Sequence, residues 1–397
     1  MLETVFLEGC DEMNILMISP WYLPYEVGGA EVFAHEIAKR LANKGHTIQV
    51  LTRKRGYPLS SEMDLNDVHI HYLPYFNVEN LRSISFILSA FQKGRYIIQK
   101  NKIDLIHAHL AFPSGIVASL FKLIEKKPSL VTIQGGDVGD YAEFTGKFYG
   151  VLTPFIKLGL RGADRVHVVS TDLKKKIVSF DYSPDNIHLV PNGVDFSRFS
   201  PRINGRNVRK HYKIDGPIIL SVSRLVPKNG LDTLIQAFKI VKETYHDTYL
   251  MIVGEGYLKS QLERMVKKLN LENNTIFVGY VRHDLIHHFY AAADIFVRTP
   301  VDEGFGIVFI EAMASGVPVV ATNVGGITDI IQNKKNGILI PPNDPYKLAE
   351  VLNRLLQNEQ MRKKLGYSGR DSCQDKYNWD SICSSIMKIY KIILSSR

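Results

Sequence analysis

Short apolar runs alternate with stretches of helical periodicity along the whole of this chain, and that alternation limits the possible folds more than any other feature. Residues 14–19, 47–52, 104–109, 130–134 and 165–170 read as strands. A second series follows at 187–191, 218–223, 250–254, 276–279, 294–297 and 318–322. Nearly continuous apolar runs of this length suit strands covered on both faces. Helical stretches fall between them, at 30–43, 115–124, 231–245 and 258–269. In the third of these, Leu231, Leu234, Ile235, Phe238 and Val241 fall on one face. Strands alternating with helices predict α/β architecture with parallel sheets. A chain of 397 residues exceeds one ordinary core. Two doubly wound, Rossmann-like domains facing across a cleft are therefore expected, the first over 1–195 and the second over 196–378. Residues 199–216 are polar, basic and broken by Pro201 and Gly205, and read as a linker. A closing helix over 379–397, with Ile382, Ile386, Tyr390 and Ile393 apolar, is expected to cross back onto the first domain.

Open parallel sheets bind ligands at the carboxyl ends of their strands. The residues just past those ends are the candidates. Glu303-Gly304-Phe305-Gly306-Ile307 lies on a strand-to-helix turn, and Glu311 falls about two turns into the helix read over 307–314. Amides at a helix start attract anions, and carboxylates accept hydrogen bonds from hydroxyls. A site with both suits a ligand with phosphate at one end and hydroxyls at the other, such as a sugar nucleotide. The plain alternative is two surface glutamates, one beside the helix start and one on its solvated face. Gly28-Gly29-Ala30-Glu31 follows the first strand and opens a helix, so the glycines allow close backbone approach. A loop accounts for them equally, and the dinucleotide spacing G-x-G-x-x-G is absent. His107 and His109 point to one face of their strand, with His109 nearer its carboxyl end. An exposed His109 could serve a sugar hydroxyl; a buried one would be structural. Arg224 and Lys228, followed by Asn229, could neutralise a diphosphate. Gly254, Gly279 and the pair Gly325-Gly326 mark further strand-end turns.

Charge and cysteine usage bear on the setting. The formal net charge is +9, and residues 40–130 hold 13 Lys/Arg against 6 Asp/Glu. Basic clusters at Arg53-Lys54-Arg55, Lys126-Lys127 and Lys174-Lys175-Lys176 suit either solvated faces or an anionic membrane surface. Neither zinc-finger spacing nor an RNA-recognition signature is present, so nucleic acid is not an expected partner. No apolar run reaches membrane-spanning length, and residues 1–11 do not read as a signal peptide, with Met13 an alternative start. Cys10, Cys373 and Cys383 have no metal-ligand spacing, which fits a reduced cytoplasmic setting.

Taken in order, these motifs resemble the retaining nucleotide-sugar glycosyltransferases of the GT-B fold, family four. The matching pieces are Gly28-Gly29-Ala30-Glu31, Ile106-His107-Ala108-His109, Pro191-Asn192-Gly193-Val194-Asp195, Ser223-Arg224-Leu225-Val226-Pro227 and Gly254-Glu255-Gly256. The E-x7-E stretch Glu303 to Glu311, the run Gly316 to Thr322 and Gly325-Gly326 complete the set.

The resemblance implies that Glu311 holds the donor ribose and Glu303 the sugar hydroxyls. The backbone at Phe305, Gly306 and Ile307 would support sugar and phosphates, with Arg224 on the diphosphate. Gly29 would lie near the phosphates and acceptor, and His109 near the anomeric carbon. It further implies retaining, metal-independent transfer of a hexose from a UDP- or GDP-sugar to a lipid-linked or saccharide acceptor, at the cytoplasmic membrane face. No Asp-x-Asp and no other cofactor site is expected. Two positions depart from the pattern: Asn229 stands where relatives have lysine, and Gln134 where they often have histidine. Lys228 could take the lysine's place. The departures leave two other readings: a non-catalytic sugar-nucleotide-binding or partner subunit, or a sugar-nucleotide epimerase.

Overall fold

The computed structural model describes residues 12–24, 28–54, 60–76, 78, 81–136, 138 and 149–396. Cys10 and residues 1–11 lie outside them, as do 25–27 and 57–59 of the segments 22–28 and 57–66 expected to hold acceptor loops. Fourteen strands are described: β1 Asn14–Ile18, β2 Thr47–Arg53, β3 Glu62–Leu65, β4 Val68–Leu73, β5 Leu105–His109, β6 Ser129–Ile133, β7 Arg165–Val168, β8 Ile187–Leu189, β9 Ile218–Val222, β10 Tyr249–Val253, β11 Thr275–Gly279, β12 Ile295–Arg298, β13 Val319–Thr322 and β14 Ile338–Ile340.

They form two sheets. The first runs β3-β4-β2-β1-β5-β6-β7-β8, and the second β11-β10-β9-β12-β13-β14. In the first, β4, β2, β1, β5, β6 and β7 pair in parallel. Only β3 is antiparallel among the recorded pairings, Glu62 opposite His71 and Asp64 opposite His69. Every recorded pairing of the second sheet is parallel. Strands such as β5 and β12 are buried at every residue, as expected of strands with helices on both faces.

By contacts the chain forms two units, one of residues 1–168, 177–188 and 383–397, the other of 169–176 and 189–382. The division therefore falls at 188/189, where the sequence reading placed it at 195/196, and it cuts the last helix, Trp379–Ser395, between Ile382 and Cys383. Residues 383–397 count with the first unit, and within it the Tyr390 hydroxyl bonds Nδ1 of His107 at 2.7 Å. Residues 169–176 count with the second, where both oxygens of Asp329 accept from Thr171, from its backbone N–H and its hydroxyl, each at 2.6 Å.

Two expectations need correction. Residues 199–216 are not a linker: Arg206–Tyr212 is a helix of the second unit, with Val208 buried. Arg209 donates to the Gly216 carbonyl at 2.8 Å and to Asp294 Oδ2 at 2.6 Å. Gly205 lies so close to the Ala291-Ala292 backbone that a Cβ there would stand 2.4 Å from the Ala292 nitrogen. The segment ending at Asn66 is not a loop throughout, because Glu62–Leu65 forms β3.

Candidate active site

The second unit brings the expected donor residues onto two adjacent strand ends. β9 leads into Ser223–Gly230 and β12 into Thr299–Gly306, and β9 and β12 are neighbours in the sheet. The two loops are tied by backbone. The Val301 N–H donates to the Lys228 carbonyl at 2.8 Å, and the Thr299 hydroxyl to the Gly230 carbonyl at 2.8 Å. Gly230 has φ +58°, and a Cβ on it would sit 2.1 Å from the Thr299 oxygen. Only glycine fits that left-handed, backbone-crowded position.

Glu303 stands on the turn before the helix Ile307–Ala314. Its carboxylate pairs with Nη1 of Arg298 at 2.8 Å and accepts the Phe305 backbone N–H. Burial pushes this carboxyl up, but Arg298 beside it, helped by Lys228, holds it below the ordinary carboxylate range. Glu303 is thus charged and held in place at neutral pH. Gly306 caps the helix at φ +86°, where a Cβ would lie 2.5 Å from the Phe309 ring. Gly325 and Gly326 cross directly over the turn: the Gly326 N–H donates to the Glu303 carbonyl at 2.9 Å.

Glu311 is 2% exposed. Its Oε1 pairs with Nε2 of His283 at 2.9 Å, and its Oε2 accepts the Tyr290 hydroxyl at 2.8 Å. The reading of two solvated surface glutamates is excluded, since neither is exposed. A carboxylate has about four lone-pair sites, so Glu311 keeps acceptor capacity beyond these two bonds.

Arg224 is exposed and Lys228 half-buried. Asn229 carries no charge but links its neighbours. Its Nδ2 donates to the Arg224 carbonyl at 2.7 Å, and its Oδ1 accepts from Nη2 of Arg298 at 2.7 Å. Gly254, at φ +130°, follows β10, and a Cβ there would meet the Ser223 oxygen at 2.0 Å. The sequence reading missed Arg298. The signal was present: an arginine closes the apolar run Ile295-Phe296-Val297, where a buried strand normally carries no charge.

In the first unit, His109 ends β5 at 2% exposure, and neither ring nitrogen has a partner among the described residues. His109 is therefore not the exposed residue a sugar contact first suggested. His107, 4.3 Å away between ring centroids, is fully bonded, Nδ1 to the Tyr390 hydroxyl and Nε2 to the Thr132 hydroxyl, each at 2.7 Å. Burial, with a smaller contribution from His167, lowers the His109 pKa to about 3, so the ring is neutral at physiological pH. Buried imidazole nitrogens without partners are costly, and a ligand hydroxyl would satisfy them. The helix Gly29–Ala42 begins beside Gly28, whose missing Cβ leaves room for the Glu31 carboxylate, 2.6 Å from where that atom would stand. A carboxylate of this chain thus already stands at this helix start.

A possible metal-ligand group exists among the described residues, Glu62, His69 and His71 on the β3–β4 hairpin. Its members are engaged with protein partners: Lys93 on Glu62 at 2.9 Å, Asp64 on His69 at 2.6 Å and Gln49 on His71 at 2.7 Å.

Two parallel α/β domains, the second with cations and a carboxylate clustered at its strand ends, define the GT-B class of nucleotide-sugar enzymes. Residues 206–372 match the family model described as glycosyl transferases group 1, and residues 27–198 that of glycosyltransferase family 4. An uncharacterized glycosyltransferase of Methanocaldococcus jannaschii is 31% identical over 380 residues, covering 96% of this chain and 98% of that protein. Among solved structures, a sucrose-phosphate synthase from Thermosynechococcus elongatus superposes at a TM-score of 0.85, with 24% identity over 97% of this chain and all of that one. The Anabaena protein HepE, in complex with UDP and glucose, superposes at 0.80, with 21% identity over 96% of this chain and 100% of that one. The chain belongs to the group 1, family 4 glycosyltransferases. It is a glycosyltransferase, of a family that moves sugars from nucleotide-sugar donors to saccharide or lipid acceptors.

Proposed function

We propose that this enzyme transfers a hexose with retention, and without a metal, from a UDP- or GDP-sugar to a lipid-linked or saccharide acceptor. The carrying observation is the charged Glu303, fixed between Arg298 and the Phe305 amide on the loop tied to Arg224 and Lys228. That arrangement suits a ligand with hydroxyls beside a diphosphate. In this reading Glu303 grips the sugar, and Phe305, Gly306 and Ile307 offer backbone to sugar and phosphate. Glu311 takes the ribose through its remaining lone pairs. Gly28 and Gly29 stand on the acceptor side with His109, whose unpartnered nitrogens suit a transferred sugar. Gly254 keeps the β10 turn close under the Arg224 loop.

The anomeric carbon–oxygen bond to the diphosphate breaks as the acceptor oxygen bonds the same face of that carbon. The acceptor's proton passes to the departing phosphate oxygen. Fixed cations offset the leaving charge, which is why no metal is needed in this reading.

The test is a product assay with UDP- and GDP-hexoses, with and without EDTA. Glu303→Ala and His109→Ala are each expected to lower turnover about a hundredfold or more while leaving the fold intact. Wild-type turnover in either variant would remove that residue from the site. Loss of activity in EDTA would overturn metal independence, and an inverted product would overturn retention. Donor isomerisation without an acceptor would point to an epimerase.

A further inference from the structure

Burying a guanidinium is costly unless its donors are matched. Arg298 is 7% exposed; its Nη1 pairs with Glu303 and its Nη2 donates to Asn229. Its Nε has no partner among the described residues. Its Cζ lies 5.5 Å from the centroid of the Phe309 ring, which gives it an apolar floor. It closes β12, in the middle of a parallel sheet and at the carboxyl end where such sheets take ligands.

The neighbouring charges do not explain it as a simple ion pair. Glu303 has a second pull from Lys228, and Asp302 is paired with Lys176 at 3.1 Å. Arg224, Lys228 and Arg298 all stand on this one loop pair with Glu303. A cluster of cations at a strand end suits the charge of a diphosphate.

We propose that Arg298 is a third cation of the donor site, bearing on the diphosphate with Arg224 and Lys228, and that Asn229 holds it there. The proposal rests on the glycosyl-transfer reading above. Asn229 bridges the Arg224 backbone and the Arg298 side chain, so one amide ties the Arg298 guanidinium to the loop that carries Arg224. The positive charge at this place comes from β12, and residue 229 is its holder.

The experiment is calorimetric titration of the full chain with UDP, GDP and ADP, with uridine, guanosine and adenosine as phosphate-free probes. Arg298→Gln is expected to weaken the diphosphate that binds best by about tenfold or more and to leave its nucleoside unchanged. The double variant Asn229→Lys/Arg298→Leu returns a charge to the same place and is expected to recover most of the lost affinity. A purely structural Arg298 would not be rescued that way. Wild-type diphosphate affinity in Arg298→Gln would overturn the proposal, as would an equal loss for diphosphate and nucleoside. If Arg298→Gln does not fold, Glu303→Gln is compared with Glu303→Gln/Arg298→Gln, which removes the buried pair together. Equal diphosphate affinity in those two overturns it as well. If folded wild type binds none of the three diphosphates, the donor reading itself falls and takes this one with it.

Discussion

Gly325 shows how tightly single residues frame the donor loop. Its φ of +49° is left-handed, and a Cβ would stand 2.1 Å from the Glu303 carbonyl oxygen. Nothing at that contact can yield except the backbone that carries Glu303. Gly325→Ala is therefore expected to cost about 3 kcal/mol of stability. Movement of the Glu303 turn by about 1 Å would lower turnover by about a hundredfold. Urea unfolding and steady-state rates measure the two together. A variant with wild-type values in both would show that the turn is not braced by this crossing. The same scale explains what a sequence can and cannot disclose. Glu303, Arg224 and Gly306 were legible because they sit just past apolar runs. Arg298 was passed over, because a single charge directly closing an apolar run reads as a mere strand ending. Its partners Asn229 and Glu303 lie 69 residues away and five residues on, a juxtaposition only the β9–β12 pairing creates.

Among the elements, β5 carries the largest electrostatic consequence. His107 and His109 are both fully buried and neutral; burial is the main cause in each, and neighbouring histidines add to it. Unfolding returns each to an ordinary pKa near 6.5. Below that pH the unfolded chain binds more protons than the folded one, so stability falls as the pH falls. The slope is about 1.4 kcal/mol per pH unit for each histidine, from roughly pH 6 downward. His107→Gln is expected to reduce the slope between pH 6.5 and 5 by about one proton's worth, read from urea midpoints against pH. An unchanged slope would mean that His107 already takes up a proton in the folded state. The element scale also shows why β3, β4 and β14 escaped the sequence reading. In Val68–Leu73 the apolar residues alternate with His69 and His71, and the histidines find their partners only when Glu62 and Asp64 stand opposite. Ile338–Ile340 is three residues long, too short to show a period. Strands such as β1 and β10, apolar at nearly every position, needed no such context.

Across the whole molecule the basic clusters are only partly open to solvent: Lys54, Lys126 and Lys175 are exposed. Arg53 is buried, its guanidinium set against Trp21, Tyr75 and Phe86 at 5.1–5.6 Å. Lys176 is committed to Asp172 and Asp302. The surface feature that suits a membrane lies instead on three helices of the first unit. Tyr149–Arg161 packs on Ser114–Glu125, where Gly159 and Gly115 meet, and Arg82–Asn101 packs on the latter through stacked Phe91 and Phe121. Ile84 and Leu88 are exposed on the first helix in sequence, Leu123 and Ile124 on the second, and Val151, Phe155 and Leu158 on the third. The last three recur at helical spacing, a second apolar stripe on a helix whose Ile156 and Leu160 already face the core. Lys100 on the first of these helices and Lys126 at the end of the second supply charge for anionic headgroups. No described helix is long and apolar enough to cross a bilayer. Co-sedimentation with anionic vesicles is expected to fall as salt rises, because the basic contribution is screened. Val151→Ser/Phe155→Ser/Leu158→Ser is expected to weaken vesicle binding about tenfold or more, since each buried apolar side chain contributes on the order of 1 kcal/mol at an interface. Nucleotide binding by that variant should be unchanged, because Arg224, Lys228, Glu303 and Glu311 belong to the other unit and the three substituted side chains are exposed. Vesicle binding that survives the triple substitution would place any membrane contact elsewhere on the chain.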